Sequence, residues 1–75
     1  MGSPPIENCI RELRRRHGDM TQQQLGDAIG VTRQTVIAIE GGKYSPSLAT
    51  AFAIAAVFGA RVDEVFRAPR HPRRG

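Results

Sequence analysis

The stretch TQQQLGDAIGVTRQTVIAIE, residues 21–40, contains two short apolar patterns separated by a glycine. Four aliphatic side chains in it follow the spacing of helices that bury one face: Leu25, Ile29, Val36 and Ile39. Gly30 falls between the two pairs, where a glycine would be unfavourable inside one continuous helix. A glycine adopts positive φ at low cost and lets the chain turn. The stretch therefore predicts two helices joined by a short turn.

Capping residues stand where each of these helices would begin. Thr21, followed three residues later by Gln24, forms a capping-box pattern in which each side chain satisfies a free backbone donor. Thr32 supplies an N-cap for the second helix. The pattern predicts helices over about 22–29 and about 33–40, joined by a three-residue turn that contains glycine. This is the helix-turn-helix arrangement.

Three further helices are predicted around this unit. Apolar residues at steps of three and four predict a first helix over about 6–17, with Ile6, Cys9, Ile10 and Leu13 on its buried face. Ser45 or Ser47 is expected to cap a fourth helix that ends near Phe58. The apolar face of this fourth helix is predicted to comprise Leu48, Ala51, Phe52, Ile54, Ala55 and Phe58. A fifth helix, about Val62–Phe66, would cover the core as a lid, with Asp63 and Glu64 capping it.

The size and composition of the chain fit one small domain. It has 75 residues, of which 40% are hydrophobic, and a single cysteine, so an intrachain disulfide is excluded. With only two histidines no zinc-ligand spacing exists, and we expect no metal and no cofactor. The sequence shows no secretion signal and no membrane-length apolar run, which predicts a cytoplasmic protein. No nucleophile is accompanied by a base and an orienting group, so we do not expect an enzyme.

Positive charge is concentrated at the C-terminus. Residues 1–66 carry seven basic and seven acidic side chains, whereas the last nine residues add four arginines and no acid. Prolines and the lack of apolar periodicity predict a disordered basic arm over 67–75. Residues 1–5 are expected to be flexible, which leaves a domain over 6–66. The arm either follows a phosphate backbone or keeps the protein soluble, and the sequence favours neither alternative.

Three segments together resemble one known family. IRELR at 10–14, TQQQLGDAIGVTRQTVIAIEGGKYSPSL at 21–48 and IAAVFGARVDEVF at 54–66 are similar to the Cro and phage-repressor type of regulator, also called Xre-like. The resemblance implies an all-α, compact five-helix bundle of the lambda-repressor-like type. It also implies that helix 3 enters the DNA major groove while helix 2 lies across the backbone, usually in a dimer on a pseudo-palindromic operator.

The resemblance assigns base-reading roles to residues of helix 3. Arg33 and Gln34 correspond to the base-contacting positions that open this helix, and Ala38 corresponds to a third groove-facing position. An arginine can donate two hydrogen bonds to guanine, a glutamine can pair with adenine, and an alanine methyl can contact a thymine methyl. The alternative is that these are ordinary solvated residues on a helix surface.

A second group of residues is expected to bind phosphates without reading sequence. By resemblance, Gln22 is the glutamine that starts helix 2 and touches phosphate. The backbone amides of Gly41 and Gly42 and the start of the fourth helix would add donors, although Gly41 replaces an asparagine common in the family. The complete set comprises Gln22, Gln23, Thr32, Thr35, Lys43, Tyr44, Ser45 and Ser47. For each of them the alternative is an unpaired surface position, and Thr35 could also serve only the cap.

Two departures from the family pattern affect structural residues. Glu40 corresponds to an acid that pairs with an arginine of helix 1, but the segment before Thr21 is one residue longer than the commonest form. Either Arg14 or Arg15 could therefore be the partner, and helical phase favours Arg14. Gly26 stands where the family usually has alanine, which costs about 0.5–1 kcal/mol of helix stability but keeps a small residue where helices 2 and 3 cross.

The sequence therefore predicts a sequence-specific double-stranded DNA-binding regulator, a repressor that acts as a homodimer. One recognition helix reads too few base pairs to define a genomic site, whereas two read half-sites about one helical turn apart. The dimer surface is expected to include Val62, Val65 and Phe66. The alternative function is a protein-interaction module, such as an antitoxin that binds a partner protein, with DNA contact secondary.

Overall fold

The computed structural model describes residues 6–67, which form five helices and one short pair of antiparallel strands. The predicted all-α five-helix fold is confirmed. In chain order the elements are β1 (Glu7–Asn8), α1 (Ile10–Arg16), α2 (Gln22–Ile29), α3 (Arg33–Glu40), α4 (Leu48–Val57), α5 (Val62–Val65) and β2 (Phe66–Arg67). None of the helices in this part of the chain is long and apolar enough to cross a membrane. Residues 1–5 and 68–75, predicted to be a flexible start and a basic arm, lie outside the described residues.

The helix-turn-helix is fixed by the caps that the sequence predicts. The Thr21 hydroxyl accepts the Gln24 amide at 2.9 Å, and the Gln24 side chain accepts the Thr21 amide at 2.8 Å, so the capping box is present. Gly30 ends α2 with φ of 78°, a left-handed conformation that favours glycine. Thr32 then caps α3 by accepting the Thr35 amide at 3.1 Å. The bounds of α2 and α3 agree with the prediction.

Gly26 lies buried where the turn after α2 folds back onto that helix. The Val31 amide donates to the Gly26 carbonyl at 2.9 Å, and a Cβ on Gly26 would lie only 2.8 Å from the Val31 carbonyl oxygen. The turn backbone therefore approaches α2 more closely than an alanine side chain permits. The glycine has a packing role here in addition to its cost in helix propensity.

The backbone amides that follow α3 donate hydrogen bonds to the last carbonyls of that helix, whereas they were expected to bind phosphate. Gly42, with φ of 74°, donates its amide to Ile39 at 3.1 Å, and Lys43 donates its amide to Ala38 at 3.0 Å. This is the Schellman pattern that closes a helix on a left-handed glycine. The Gly41 amide donates to Ile37 at 3.0 Å. The prediction that the Gly41 and Gly42 amides are free for phosphate is wrong, because the helix end consumes them.

A strand pair replaces the ends of two predicted helices. Glu7 pairs with Arg67 and Asn8 with Phe66 in antiparallel register. The Asn8 side chain accepts the Ile10 amide at 3.1 Å and donates to the Ile39 carbonyl at 3.0 Å, so it begins α1 and ties that start to the end of α3. The first helix therefore starts at residue 10 rather than 6, and Phe66 belongs to β2. Arg67, assigned to the arm, is part of this strand.

The core is formed by buried residues from all five helices. Its members are Ile10, Leu25, Val36, Ile39, Ile54, Ala55, Phe58 and Val65. Cys9, predicted to be a core residue, is exposed, and its thiol lies 3.2 Å from the Glu64 carbonyl. The strand pair explains this exposure, because residue 9 precedes α1 and its amide donates to the Val65 carbonyl at 3.0 Å. Its side chain is consequently not on the buried face of α1.

Helix α4 buries only part of the face that was predicted. Ala51, Ile54 and Ala55 are buried, as is Phe58 just after the helix, whereas Leu48 is 70% exposed and Phe52 is 58% exposed. The helix reads LATAFAIAAV and is nearly apolar all round, so its periodicity does not indicate which side faces the core. Ser47, rather than Ser45, caps it, accepting the Thr50 amide at 3.1 Å.

The extra residue before α2 is absorbed by two left-handed residues in succession. Gly18 has φ of 71° and Asp19 has φ of 56°. Aspartate is one of the few residues other than glycine that adopts this conformation readily. The turn lets the Met20 amide donate a hydrogen bond to the Arg14 carbonyl at 2.9 Å, so the same side of α1 still faces the rest of the bundle.

Candidate nucleic-acid interface

Helix α3 presents a polar first turn to solvent. Arg33 and Gln34 are exposed, whereas Val36 and Ile39 of the same helix are buried. Within residues 6–67 the side chains of Arg33 and Gln34 take part in no hydrogen bond or ion pair that we observe. The first amides of a helix also lack intrahelical acceptors and carry partial positive charge. The start of α3 therefore combines unused donors with an accessible surface.

The threonines at this helix start serve the cap. The Thr32 and Thr35 hydroxyls lie 3.0 Å apart, and the Thr32 oxygen also accepts the Thr35 amide. Thr32 is exposed and Thr35 is half-buried. One of the two hydroxyls donates its proton to the other, so the second hydroxyl proton can still be donated to another acceptor.

Glu40 organises the opposite end of α3 and the start of α2. Its carboxylate accepts hydrogen bonds from the Arg14 Nε at 2.5 Å, the Arg14 Nη2 at 3.2 Å and the Gln22 Nε2 at 3.2 Å. Arg14 also donates to the Met20 carbonyl at 2.7 Å. The two charged side chains are only 13% and 10% exposed. Of the two arginines considered from the sequence, Arg14 makes this pair, and Arg15 is exposed.

This network fixes the orientation of Gln22. Its amide group has two N–H donors, and the geometry commits one of them to Glu40. Within residues 6–67 the second N–H makes no hydrogen bond. Gln23, by contrast, donates to Asp27 one turn further along α2 at 2.9 Å.

Arg11 is a neighbour of this surface that the sequence interpretation missed. An open depression between α1, α2 and α3 is lined by Arg11, Gln22, Gln23 and Arg33 together with the Arg14–Glu40 pair. Arg11 precedes Arg14 by three residues, so both lie on the same side of α1. That spacing was a usable signal, but four arginines in one short helix obscured it.

The loop after α3 carries exposed polar residues next to the recognition helix. Lys43, Tyr44 and Ser45 are exposed. Ser47 is engaged by its own helix, because its hydroxyl donates to the Thr50 hydroxyl at 3.0 Å while accepting the Thr50 amide. Lys43 is therefore the positive charge of this loop, and Ser47 has less capacity for an outside ligand than was expected.

Helix α3 also exposes an aliphatic side chain that was not predicted to be at the surface. Ile37 is 40% exposed, whereas Ala38, the expected third base-reading residue, is half-buried. The residues expected at the dimer surface are less accessible. Val65 is 1% exposed and belongs to the core, and Val62 and Phe66 pack against it while half-buried. Val65 cannot contact a partner, because α5 turns it inward.

Comparison with known proteins assigns the family. A helix-turn-helix family model matches residues 10–65. A regulator from Archaeoglobus fulgidus is 49% identical over 57 residues, covering 76% of this chain and 80% of the relative. YgzD of Bacillus subtilis is 48% identical over 61 residues, covering 81% of this chain and 91% of its own length. A protein from Methanocaldococcus jannaschii is 46% identical over 61 residues, with the same two coverages.

All three relatives are described as HTH-type transcriptional regulators. The match spans every helix of the fold, including the two that carry the exposed polar surface. The chain therefore belongs to the Xre/Cro-like helix-turn-helix family of DNA-binding transcriptional regulators.

Proposed function

We propose that this protein is a sequence-specific repressor that reads the DNA major groove with the first turns of α3. The observation that carries the proposal is the exposed start of α3, where Arg33 and Gln34 have no partner within the described residues. Long polar side chains of this kind reach base edges, since arginine pairs with guanine and glutamine with adenine. Ala38, one turn beyond Gln34, borders the same surface and completes the proposed base-reading set.

Phosphate contacts would position the protein on the duplex. The proposed phosphate contacts come from residues on both sides of the start of α3 in the sequence. They comprise the second N–H of Gln22, the side chains of Gln23, Lys43, Tyr44 and Ser45, and the cap residues Thr32, Thr35 and Ser47. Arg11 adds a charge on the side formed by α1. Such contacts supply affinity and register without reading bases, and they weaken as salt rises.

The protein would act as a homodimer through α4 rather than through α5. Leu48, Phe52 and Ala56 are exposed at successive i+4 positions and form what we call the α4 patch. A largely apolar depression next to it is lined by Phe52, Ala55, Ala56, Ala60 and Val62 together with Arg61 and Asp63. Exposed contiguous apolar surface of this kind marks protein contacts. A twofold pair would place two copies of α3 on the half-sites of a pseudo-palindromic operator.

A second function is favoured by the same patch. Leu48 and Phe52 are apolar anchors of the type found at protein interfaces, and they would also suit a different partner protein, as in an antitoxin. The start of α3 argues against this as the main role, because its exposed residues are polar and free of acids. Passage over a mixed-sequence DNA column at low salt separates the two functions: retention that is lost as salt rises supports DNA binding, and flow-through supports the interaction role.

Selection of bound duplexes from a random pool tests the proposed function directly. We expect a site with two inverted half-sites centred about one helical turn apart. Enrichment of a single unrepeated half-site would refute the homodimer, and recovery of no preferred sequence would refute the reading of bases.

A further inference from the structure

Ile37 lies on the exposed face of α3 together with Arg33 and Gln34. At about 100° per residue, it projects about 40° from Arg33 and about 60° from Gln34, so it lies between the two base-reading side chains. The helix buries the other side through Val36 and Ile39. Ile37 keeps 40% of its surface exposed although an isoleucine is normally turned inward.

The chemistry of the major groove offers a specific counterpart for this side chain. Base edges there present hydrogen-bond donors and acceptors, and the thymine C5-methyl is the apolar group among them. An aliphatic side chain in the centre of a recognition surface has no hydrogen bond to give. Such a side chain stabilises the complex only by packing against another apolar group and removing it from water.

Resting on the proposed function, we propose that Ile37 is a specificity-determining residue that contacts a thymine methyl between the bases read by Arg33 and Gln34. The methyl contact expected for Ala38 is thereby assigned to Ile37, because Ala38 is half-buried and its single methyl extends less far from the helix. Arg33 precedes Ile37 by four residues and Gln34 by three, so their side chains flank it and shield the contact from water. A 5-methylcytosine at the same position would offer the same methyl group.

The test removes one methyl at a time from the DNA. With the site obtained from the random pool, each thymine of a half-site is replaced by deoxyuridine, which keeps all hydrogen bonds and lacks the methyl. For the wild-type protein, replacement at one position should weaken binding about fourfold per half-site, the effect of one buried methyl. The Ile37→Ala variant should bind thymine and uracil equally at that position, and Ile37→Val should keep most of the preference.

The Ile6→Ala variant is the matched control, because it removes the same atoms from an isoleucine that is 37% exposed and lies outside α3. Its folding, and that of the Ile37 variants, is verified by circular dichroism, and it should retain the wild-type thymine preference. Equal wild-type affinity for every thymine and uracil duplex would overturn the assignment, as would an Ile37→Ala protein with undiminished preference or an Ile6→Ala protein that loses it. These results concern only Ile37, since a protein that binds no duplex at all would refute the proposed function instead.

Discussion

Replacing Glu40 with glutamine should reveal how strongly the Arg14–Glu40 pair holds the bundle together. The substitution keeps the size of the side chain and removes its charge. The carboxylate accepts three hydrogen bonds, two from Arg14 and one from Gln22, and both charged side chains are about nine-tenths buried. Removing one partner of such a pair leaves the other charge without compensation, which costs about 3–5 kcal/mol.

This loss would be large for a domain of this size. Stabilities of about 0.05–0.15 kcal/mol per residue give roughly 4–11 kcal/mol for the whole chain. Because glutamine retains one acceptor for Arg14, we expect the lower end of the range, about 3 kcal/mol. At about 4–8 °C per kcal/mol this corresponds to a fall in Tm of roughly 12–24 °C.

Urea denaturation followed by circular dichroism measures the effect, and the chain offers a matched control. Glu12 makes an ion pair with Arg16 at 2.9 Å, but these side chains are 62% and 67% exposed. Glu12→Gln should therefore cost less than about 0.5 kcal/mol. A cost for Glu40→Gln no larger than that for Glu12→Gln would show that burying the pair has no energetic consequence.

Three further predictions concern readout, packing and assembly. Arg33→Ala should lose about 1–3 kcal/mol of binding free energy and relax the preference at one base position, whereas Lys43→Ala should weaken binding to all duplexes alike and lower the slope of log affinity against log salt by roughly one. Titration of selected and scrambled duplexes over a range of salt distinguishes the two variants, and identical profiles would contradict the assignment of Arg33 to bases and Lys43 to phosphate. Gly26→Val should destabilise the fold by at least about 2 kcal/mol in urea, because its Cβ would meet the Val31 carbonyl at 2.8 Å; unchanged stability would mean that the turn yields freely. Phe52→Ser, at a 58% exposed site, should leave thermal unfolding of the monomer intact while shifting sedimentation equilibrium toward monomer; an unshifted dimer would exclude the α4 patch as its interface.

Local signals in the sequence were sufficient for the central unit of the fold. The capping box at Thr21 and the left-handed Gly30 act within a few residues, so the bounds predicted for α2 and α3, about 22–29 and about 33–40, agree with the structure. Helical phase was also enough to choose Arg14 over Arg15 as the expected neighbour of Glu40. These features depend on spacing along one or two helices, which the chain itself displays.

The features that were missed depend on contacts between distant segments. The pairing of Asn8 with Phe66 makes both terminal helices shorter than predicted and turns Cys9 outward, and no local sequence pattern predicts this pairing. Helix α4 is apolar on every side, so only its neighbours determine that Phe52 faces solvent. Ile37 was overlooked for a related reason, since an isoleucine in a recognition helix reads as a core residue until its exposure is seen.

The proposed function depends above all on the entry of the first turn of α3 into the major groove. Titration of the ¹⁵N-labelled protein with its selected duplex, followed by amide shifts, tests this directly. We predict that the largest changes fall on the amides of residues 32–35 and on the Gln34 side-chain amide, while the amides of the α4 patch change little once the protein is dimeric. Shifts confined to α4 and α5, with the amides of residues 32–35 unmoved, would contradict it.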